Sequence, residues 1–240
     1  MKTSRLGVGV VFSFVTGVLF TNPILQGAVS EWNTFPKGNS VVINGEYQTP
    51  NDPRPNRPKQ TKAVWKVEGA VVGGSMQADM EQLFSRSPAQ DASDVRISAK
   101  VPVRSLTMFT PTTTTWLHGF LKYDKHPNIE FELQQFKVLS VDEKQTLKAE
   151  ATGRLSMAGA SHPVTVPVTL SRNAEGHVII EGAFTIDLSL YLTLPQKPFR
   201  MFSDKPPTIH DSDDLPPTKK DAQVTFRWCL QPKKVELTHG

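Results

Sequence analysis

Alternation with a period of two residues, repeated along most of the chain, is the feature that most limits the folds open to this sequence. From Asp94 to Arg104 (DVRISAKVPVR), Val95, Ile97, Ala99, Val101 and Val103 alternate with Arg96, Ser98, Lys100, Pro102 and Arg104. Successive side chains of a strand point to opposite faces, so this run predicts a strand with one dry and one wet face. Thr146 to Met157 repeats it, with Leu147, Ala149, Ala151, Gly153, Leu155 and Met157 on one side. Val164, Val166, Val168 and Leu170 follow. Beyond the turn signal Asn173 to Gly176 come Val178, Ile180, Gly182, Phe184, Ile186 and Leu188. Ala222, Val224, Phe226, Trp228 and Leu230 close the series.

Ile129 to Leu139 alternates with a slip: Ile129, Phe131 and Leu133 share one parity, Phe136 and Val138 the other. One inserted residue near Gln134–Gln135 reconciles them, which predicts a β-bulge. Upstream, Ser40 to Tyr47, Ala63 to Glu68 and Ala70 to Ala78 are further candidate strands of mixed parity. The sum is an all-β chain of eight or nine antiparallel strands, each with one apolar face to bury, as a barrel or sandwich does. A closed barrel also removes the edges. Thr112 to Tyr123 breaks the rhythm. It opens on threonines suited to capping and sets Trp116 with Phe120, and Leu117 with Leu121, four residues apart, predicting a short helix. Residues 49–62 and 195–217 are rich in proline, which lacks the ladder donor, so both read as loops outside the strands.

The first 28 residues read separately. Lys2 and Arg5 precede the apolar run Leu6 to Phe20, small residues follow at Gly27–Ala28, and no charge returns before Glu31. This pattern predicts an export signal peptide, with an uncleaved anchor contacting the membrane as the second reading. The run falls short of the roughly 20 apolar residues of a membrane span. The expected destination is periplasmic or secreted. Lys2 and Arg5 also supply two of the four net positive charges, so the remainder is nearly neutral and offers no electrostatic footprint for nucleic acid. The lone Cys229 excludes an internal disulfide and a multi-cysteine zinc site.

Enzyme signatures are absent: the sequence has no G-x-S-x-G elbow, no phosphate-binding P-loop and no H-E-x-x-H. His118, His126, His162, His177, His210 and His239 are dispersed, without metal-ligand spacing. Asp211, Asp213 and Asp214 begin like a calcium loop but lack its glycine and terminal glutamate, and read as a solvated acidic loop. No catalytic residue, metal or cofactor is expected. Cys229 shares parity with the polar residues of its strand, which places it on the outer face. The inward apolar residues either line a cavity or fill a solid core; alternation is identical in both cases, and by itself it favours the core.

Further residues add a resemblance. The strand ending at Ser105–Leu106 is followed by the helical segment, then Lys125-His126-Pro127-Asn128-Ile129-Glu130-Phe131, then Gly153-Arg-Leu-Ser-Met-Ala-Gly159-Ala-Ser-His-Pro163-Val164. In order and spacing this resembles the YceI-like family, from about Trp65 to Leu230. The resemblance implies an antiparallel lipocalin-like barrel of about eight strands with a short helix near one end, spanning residues 32–232. It also implies an exported, non-enzymatic binder of a polyisoprenoid, a quinone or another lipid. The residues expected to meet that ligand are Val101, Leu106, Trp116, Phe120, Leu121, Phe131, Leu155, Val166, Val168, Phe184, Ile186, Phe226 and Trp228. Small residues at Ala149, Ala151, Gly153 and Gly182 are expected to leave it room. Two departures stand out: Thr112 to Thr115 replace an Arg-Asp pair common before the helix, and His126 replaces an aromatic. The rival expectation is an interaction or adhesion protein with a filled barrel and functional loops. A third is an enzyme acting on a lipid held in the cavity.

Overall fold

Each alternating run forms a strand, and each strand pairs antiparallel with its neighbours. The computed structural model describes residues 29–48, 62–143, 145–193 and 218–233. Its strands are β1 (Ser30–Thr34), β2 (Ser40–Gln48), β3 (Lys62–Gly69), β4 (Gly73–Ala78), β5 (Arg96–Pro102), β6 (Leu106–Thr107), β7 (Asn128–Val141), β8 (Leu147–Met157), β9 (Ala160–Arg172), β10 (Val178–Asp187) and β11 (Thr218–Pro232). The helices are α1 (Met80–Phe84) and α2 (Pro111–Phe120), with 3-10 turns at Val103–Ser105 and Leu188–Leu190.

These segments build a closed barrel, because three pairs of them are pieces of single bent staves. β1 and β2 both lie along β11, at Leu230–Pro232 and at Thr218–Arg227 respectively. They pair on their other side with β4 and β3, which in turn pair with β5 and β6. Three bent staves and the five strands β7 to β11 make eight, and the pairing of β11 with β1 and β2 closes the ring. Closure pairs most edges, but β9 lacks a ladder partner on the β10 side before Val168, and β3 meets β6 only at Glu68 and Gly69.

The breaks in the staves are hydrogen-bonded, as buried backbone groups must be. Where β11 changes partner from β2 to β1, the Phe35 amide donates to the Cys229 carbonyl (2.8 Å). The Cys229 amide donates to Asn39 Oδ1 (2.9 Å), and Asn39 Nδ2 donates to the Phe35 carbonyl (2.7 Å). Ile179 and Cys229 face each other across β10 and β11, and both are buried. Gly38 lies against Cys229, so an outward-facing thiol is shielded by the connection between β1 and β2. That burial pushes the Cys229 thiol above its ordinary value. The partner change also shortens one expected strand: β5 ends at Pro102, and Val103–Ser105 turn the chain from β7 towards β3.

The predicted bulge is present. Leu133 pairs with Gly153 and Gln135 with Thr152, leaving Gln134 as the inserted residue, so Phe131 and Phe136 both reach the interior. A second shift lies between Val138 and Ser140, where Leu139 is exposed. Pro163 and Pro167 keep β9 in register with β8. Their missing donors fall on the β10 side, where pairing stops at Val168 opposite Gly182.

The interior divides into two packed ends. At the upper end Phe136, Leu147, Leu170, Val178 and Leu230 are almost wholly buried, and α1 adds Met80 and Leu83. This helix is not foreseen by the alternation. It is capped by Asp79, which accepts from the Gln82 amide (3.1 Å). The lower end holds Val67, Val103, Leu106, Leu121, Leu188 and Tyr191. Beneath it lies α2, whose cap is Thr110 rather than one of the four threonines that follow Pro111.

Those threonines have local work. The Thr113 amide donates to Thr110 Oγ1 (3.2 Å) and the Thr110 amide to Thr113 Oγ1 (3.0 Å), a reciprocal capping box. The Met108 amide donates to Thr114 Oγ1 (2.9 Å). Lys122, in the left-handed region (φ 51°), terminates the helix. Thr110→Ala is expected to lower stability by about 1 kcal/mol, read from the urea midpoint. An unchanged midpoint would show that the cap contributes nothing to the folded state. Residues 1–28, 49–61 and 194–217, which carry the leader and most of both proline-rich loops, lie outside the described residues.

Candidate ligand cavity

Between the packed ends lies a cavity of about 150 Å³. Its wall draws on all eight staves, mostly through the alternate residues that the pleat directs inwards. Val101, Phe131, Leu155, Val166, Val168, Phe184, Ile186, Phe226 and Trp228 all line it. The other four expected ligand contacts do not. Leu106 and Leu121 are buried in the lower cluster, 0% and 3% exposed, and serve as its packing. Trp116 and Phe120 are half-buried on α2, away from the wall. Helical spacing fixes which residues share a face; it cannot say how far that face stands from the barrel.

The wall also contains residues outside the expected set. Ile97 and Ile180 lie on the inward parity of clear strands and were legible in the alternation. Val41, Ile43 and Val72 belong to the bent staves, where each break resets the parity. Lys100 and Glu130, opposite each other on β5 and β7 and both exposed, border the cavity where it nears the surface.

Gly153 and Gly182 are occupied positions, contrary to the expectation that they leave room. A Cβ at Gly153 would lie 2.6 Å from the Phe131 ring, and one at Gly182 would lie 2.5 Å from the Phe226 ring. Trp65 covers Gly45 in the same way, at 2.2 Å. The glycines are seats for cross-strand aromatic rings, of which those of Phe131 and Phe226 stand against the cavity and that of Trp65 does not. Ala149 is packed into the upper cluster; Ala151 does face the cavity.

Polar groups differ between the two ends. At the upper end Trp228 Nε1 donates to Thr34 Oγ1 (2.9 Å), and that hydroxyl donates to the Gly74 carbonyl (3.2 Å). This ties β11, β1 and β4 together, whereas Trp32 Nε1 in the same cluster is buried without a partner. At the lower end His118 Nε2 donates to the Leu106 carbonyl (2.9 Å). His162 meets the Tyr191 ring edge-on at 5.1 Å, and His126 stands over Gly159. None of these histidines faces the cavity. Among the described residues, no three His, Cys, Asp or Glu side chains gather as a metal site would require.

A closed antiparallel barrel, packed at both ends around an apolar cavity, defines the lipocalin-like class. The profile of the YceI-like domain matches residues 57–209, well over half of the chain, and the protein belongs to that family. The staves that close the ring, β1–β2 and β11, lie outside the matched span. Among solved structures, BcnA from Burkholderia cenocepacia superposes with a TM-score of 0.51 at 15% identity, covering 79% of this chain and 95% of that one. A polyisoprenoid binding domain from Saccharophagus degradans, implicated in plant cell wall breakdown, gives 0.53 at 6% identity, covering 86% and 100%. At these identities the likeness establishes the fold. Among curated proteins no sequence match is found.

Proposed function

We propose that this protein binds the hydrocarbon chain of one lipid, of isoprenoid type, non-covalently inside the barrel. The observation that carries the reading is the wall itself. Apart from Lys100 and Glu130 at its border it presents apolar side chains, with the one indole donor already satisfied. Such a surface recognises area rather than functional groups, at about 25 cal/mol per Å². About 400 Å² of buried chain therefore contributes about 10 kcal/mol, comparable with the cost of association. Long chains are retained and short ones are not. The polyisoprenoid binding domain with the same fold supports an isoprenoid as the ligand class.

The cavity is close in size to the roughly 150 Å³ apolar void that admits benzene. A longer chain extends it by displacing the half-buried rings of Phe131, Phe184 and Phe226. No reaction is part of this proposal. Export belongs to it, supported by the leader pattern of residues 1–28; N-terminal sequencing of the natural protein would start near Val29 after cleavage, and at Met1 if the segment stays as an anchor.

The test is solvent extraction of the purified protein with mass spectrometry, followed by reconstitution with isoprenoids of graded length. At a hundredfold excess over Kd, a ligand stabilises the fold by about 2.7 kcal/mol, which raises the Tm of a domain this size by roughly 5–10 °C. An empty extract together with an unmoved Tm would reject the proposal and leave the barrel as a scaffold for surface interactions.

A further inference from the structure

The hairpin of β9 and β10 is zipped in its upper half and unzipped below. Five ladder pairs join the strands, from Val178 opposite Arg172 down to Gly182 opposite Val168, and none follows. Each strand stays anchored on its other side: β10 pairs with β11 from Val178 to Asp187, and β9 with β8 from Ala160 to Leu170. The lower halves therefore face each other across a seam that has no ladder. The sequence supplies the cause. Pro163, Thr165 and Pro167 turn their backbone towards β10 along this stretch, and the two prolines have no N–H to donate. The side chains turn away as well: Thr165 bonds to Thr152 of β8 (3.0 Å), and Thr185 accepts from Gln223 of β11 (2.7 Å). At the foot of the seam His162 of β9 meets the ring of Tyr191, just past the turn that ends β10, edge-on at 5.1 Å.

The cavity lies directly behind this seam. Val164 and Val166 on one side, and Phe184, Ile186 and Leu188 on the other, all line it. Other routes are closed. Both ends of the barrel are packed with buried side chains. Lys100 and Glu130 border the cavity near the surface, but they are a ladder pair of β5 and β7. Parting those strands would break backbone hydrogen bonds and leave their groups unmet. The free edge of β3, from Lys62 to Val67, contributes no residue to the wall. The break between β5 and β6 is filled by Val103 and Leu106, which belong to the lower cluster and do not reach the cavity. Opening the β9–β10 seam forfeits side-chain packing but no ladder pair.

We propose that this seam is a lateral portal, through which an apolar chain enters and leaves the cavity side-on. The zipped half of the hairpin is the hinge, Val164, Phe184 and Ile186 line the passage, and the His162–Tyr191 contact is the latch at its foot. The inference rests on the lipid reading above and adds the route of exchange to it. A portal governs rates rather than affinity, because closing it hinders entry and exit alike.

The experiment bridges the seam on the full chain and follows binding of all-trans-retinol, a fluorescent isoprenoid alcohol, by stopped flow. Continuing the register beyond Gly182 opposite Val168 sets Thr185 against Thr165, and both are exposed. Thr165→Cys with Thr185→Cys is joined by a short bis-maleimide that contains a reducible disulfide; the native Cys229 is buried and does not compete for it. The bridge is expected to slow association and dissociation together, each by at least about tenfold, and to move Kd by less than about twofold. Reductant should restore both rates. The control joins Thr152→Cys to Thr165→Cys, opposite residues of the intact β8–β9 ladder, and should leave the rates unchanged. The unbridged protein gives a second measure. The Thr165 amide should exchange its hydrogen at least about tenfold faster than that of Thr169, which faces Glu181 inside the β9–β10 ladder. Unslowed retinol in the bridged seam, equal slowing by the control bridge, or equal exchange of the two amides would overturn the portal and leave the lipid reading intact. Failure of retinol to bind the unbridged protein would sink both.

Discussion

Val166→Arg is expected to abolish lipid binding and to lower stability by about 3–5 kcal/mol, the cost of an uncompensated buried charge. Val166 is 5% exposed, lies opposite Ala151 across β8 and β9, and lines the cavity. Among the described residues, the only charged side chains along that wall are Lys100 and Glu130, at its border. A guanidinium at position 166 therefore has neither water nor a carboxylate within the cavity. Because the fold itself suffers, Val166→Phe is the partner experiment. Its ring enters the empty volume, so stability should stay within about 1.5 kcal/mol of the parent, while binding of a long isoprenoid falls more than tenfold. Urea melts and ligand-induced thermal shifts measure both quantities. Undiminished binding by the Phe variant would place the chain somewhere other than this cavity.

The second large effect is expected at Gly74, where an alanine should cost about 4 kcal/mol through backbone strain and steric clash. Gly74 has φ +125°, and a Cβ built there lies 2.0 Å from the Ser98 carbonyl oxygen and 2.9 Å from the Ala99 Cα. Both atoms are backbone of the adjacent stave and cannot swing aside. The Gly74 carbonyl also receives the Thr34 hydroxyl that serves the Trp228 indole, so a shift of β4 reaches the top of the cavity. Gly176 supplies the comparison. Its φ is +79°, yet nothing lies within 4 Å of its Cβ position. Gly176→Ala should therefore cost only the left-handed penalty of about 1–2 kcal/mol. Urea unfolding of the two variants separates crowding from conformation; equal losses would show that the approach to Ser98 carries no energy.

The alternation read from β8 illustrates how much was legible. Leu147, Ala149, Ala151, Gly153, Leu155 and Met157 are all buried, and their outward neighbours are half-buried or exposed. The slip in β7 was legible for the same reason, since parity is a local property and an inserted residue leaves a mark in it. The first two staves were harder. Each is broken by a turn at which the chain changes partner, and the parity restarts on the far side, so β1 was not anticipated and Val41, Ile43 and Val72 were not placed on the wall. Helix α1 was missed because five residues are too few to show a period. Trp116 and Phe120 show the opposite failure: the helix was foreseen, but its distance from the cavity depends on how the chain crosses the barrel end.

What the sequence by itself determined was which side chains face inwards, roughly how many strands share that face, and which family motifs join them. Those are consequences of the two-residue repeat of an extended chain and of residues near one another along it. Only the tertiary structure decided that the barrel is hollow at its middle and solid at both ends. Alternation marks a face as dry, but it does not record whether opposite walls meet. The separation of the walls follows from the closure of eight staves and from rings seated on glycines across the sheet. The same closure buries the Trp65 and Tyr191 donors in the lower cluster, an arrangement between residues 126 positions apart that no local pattern encodes.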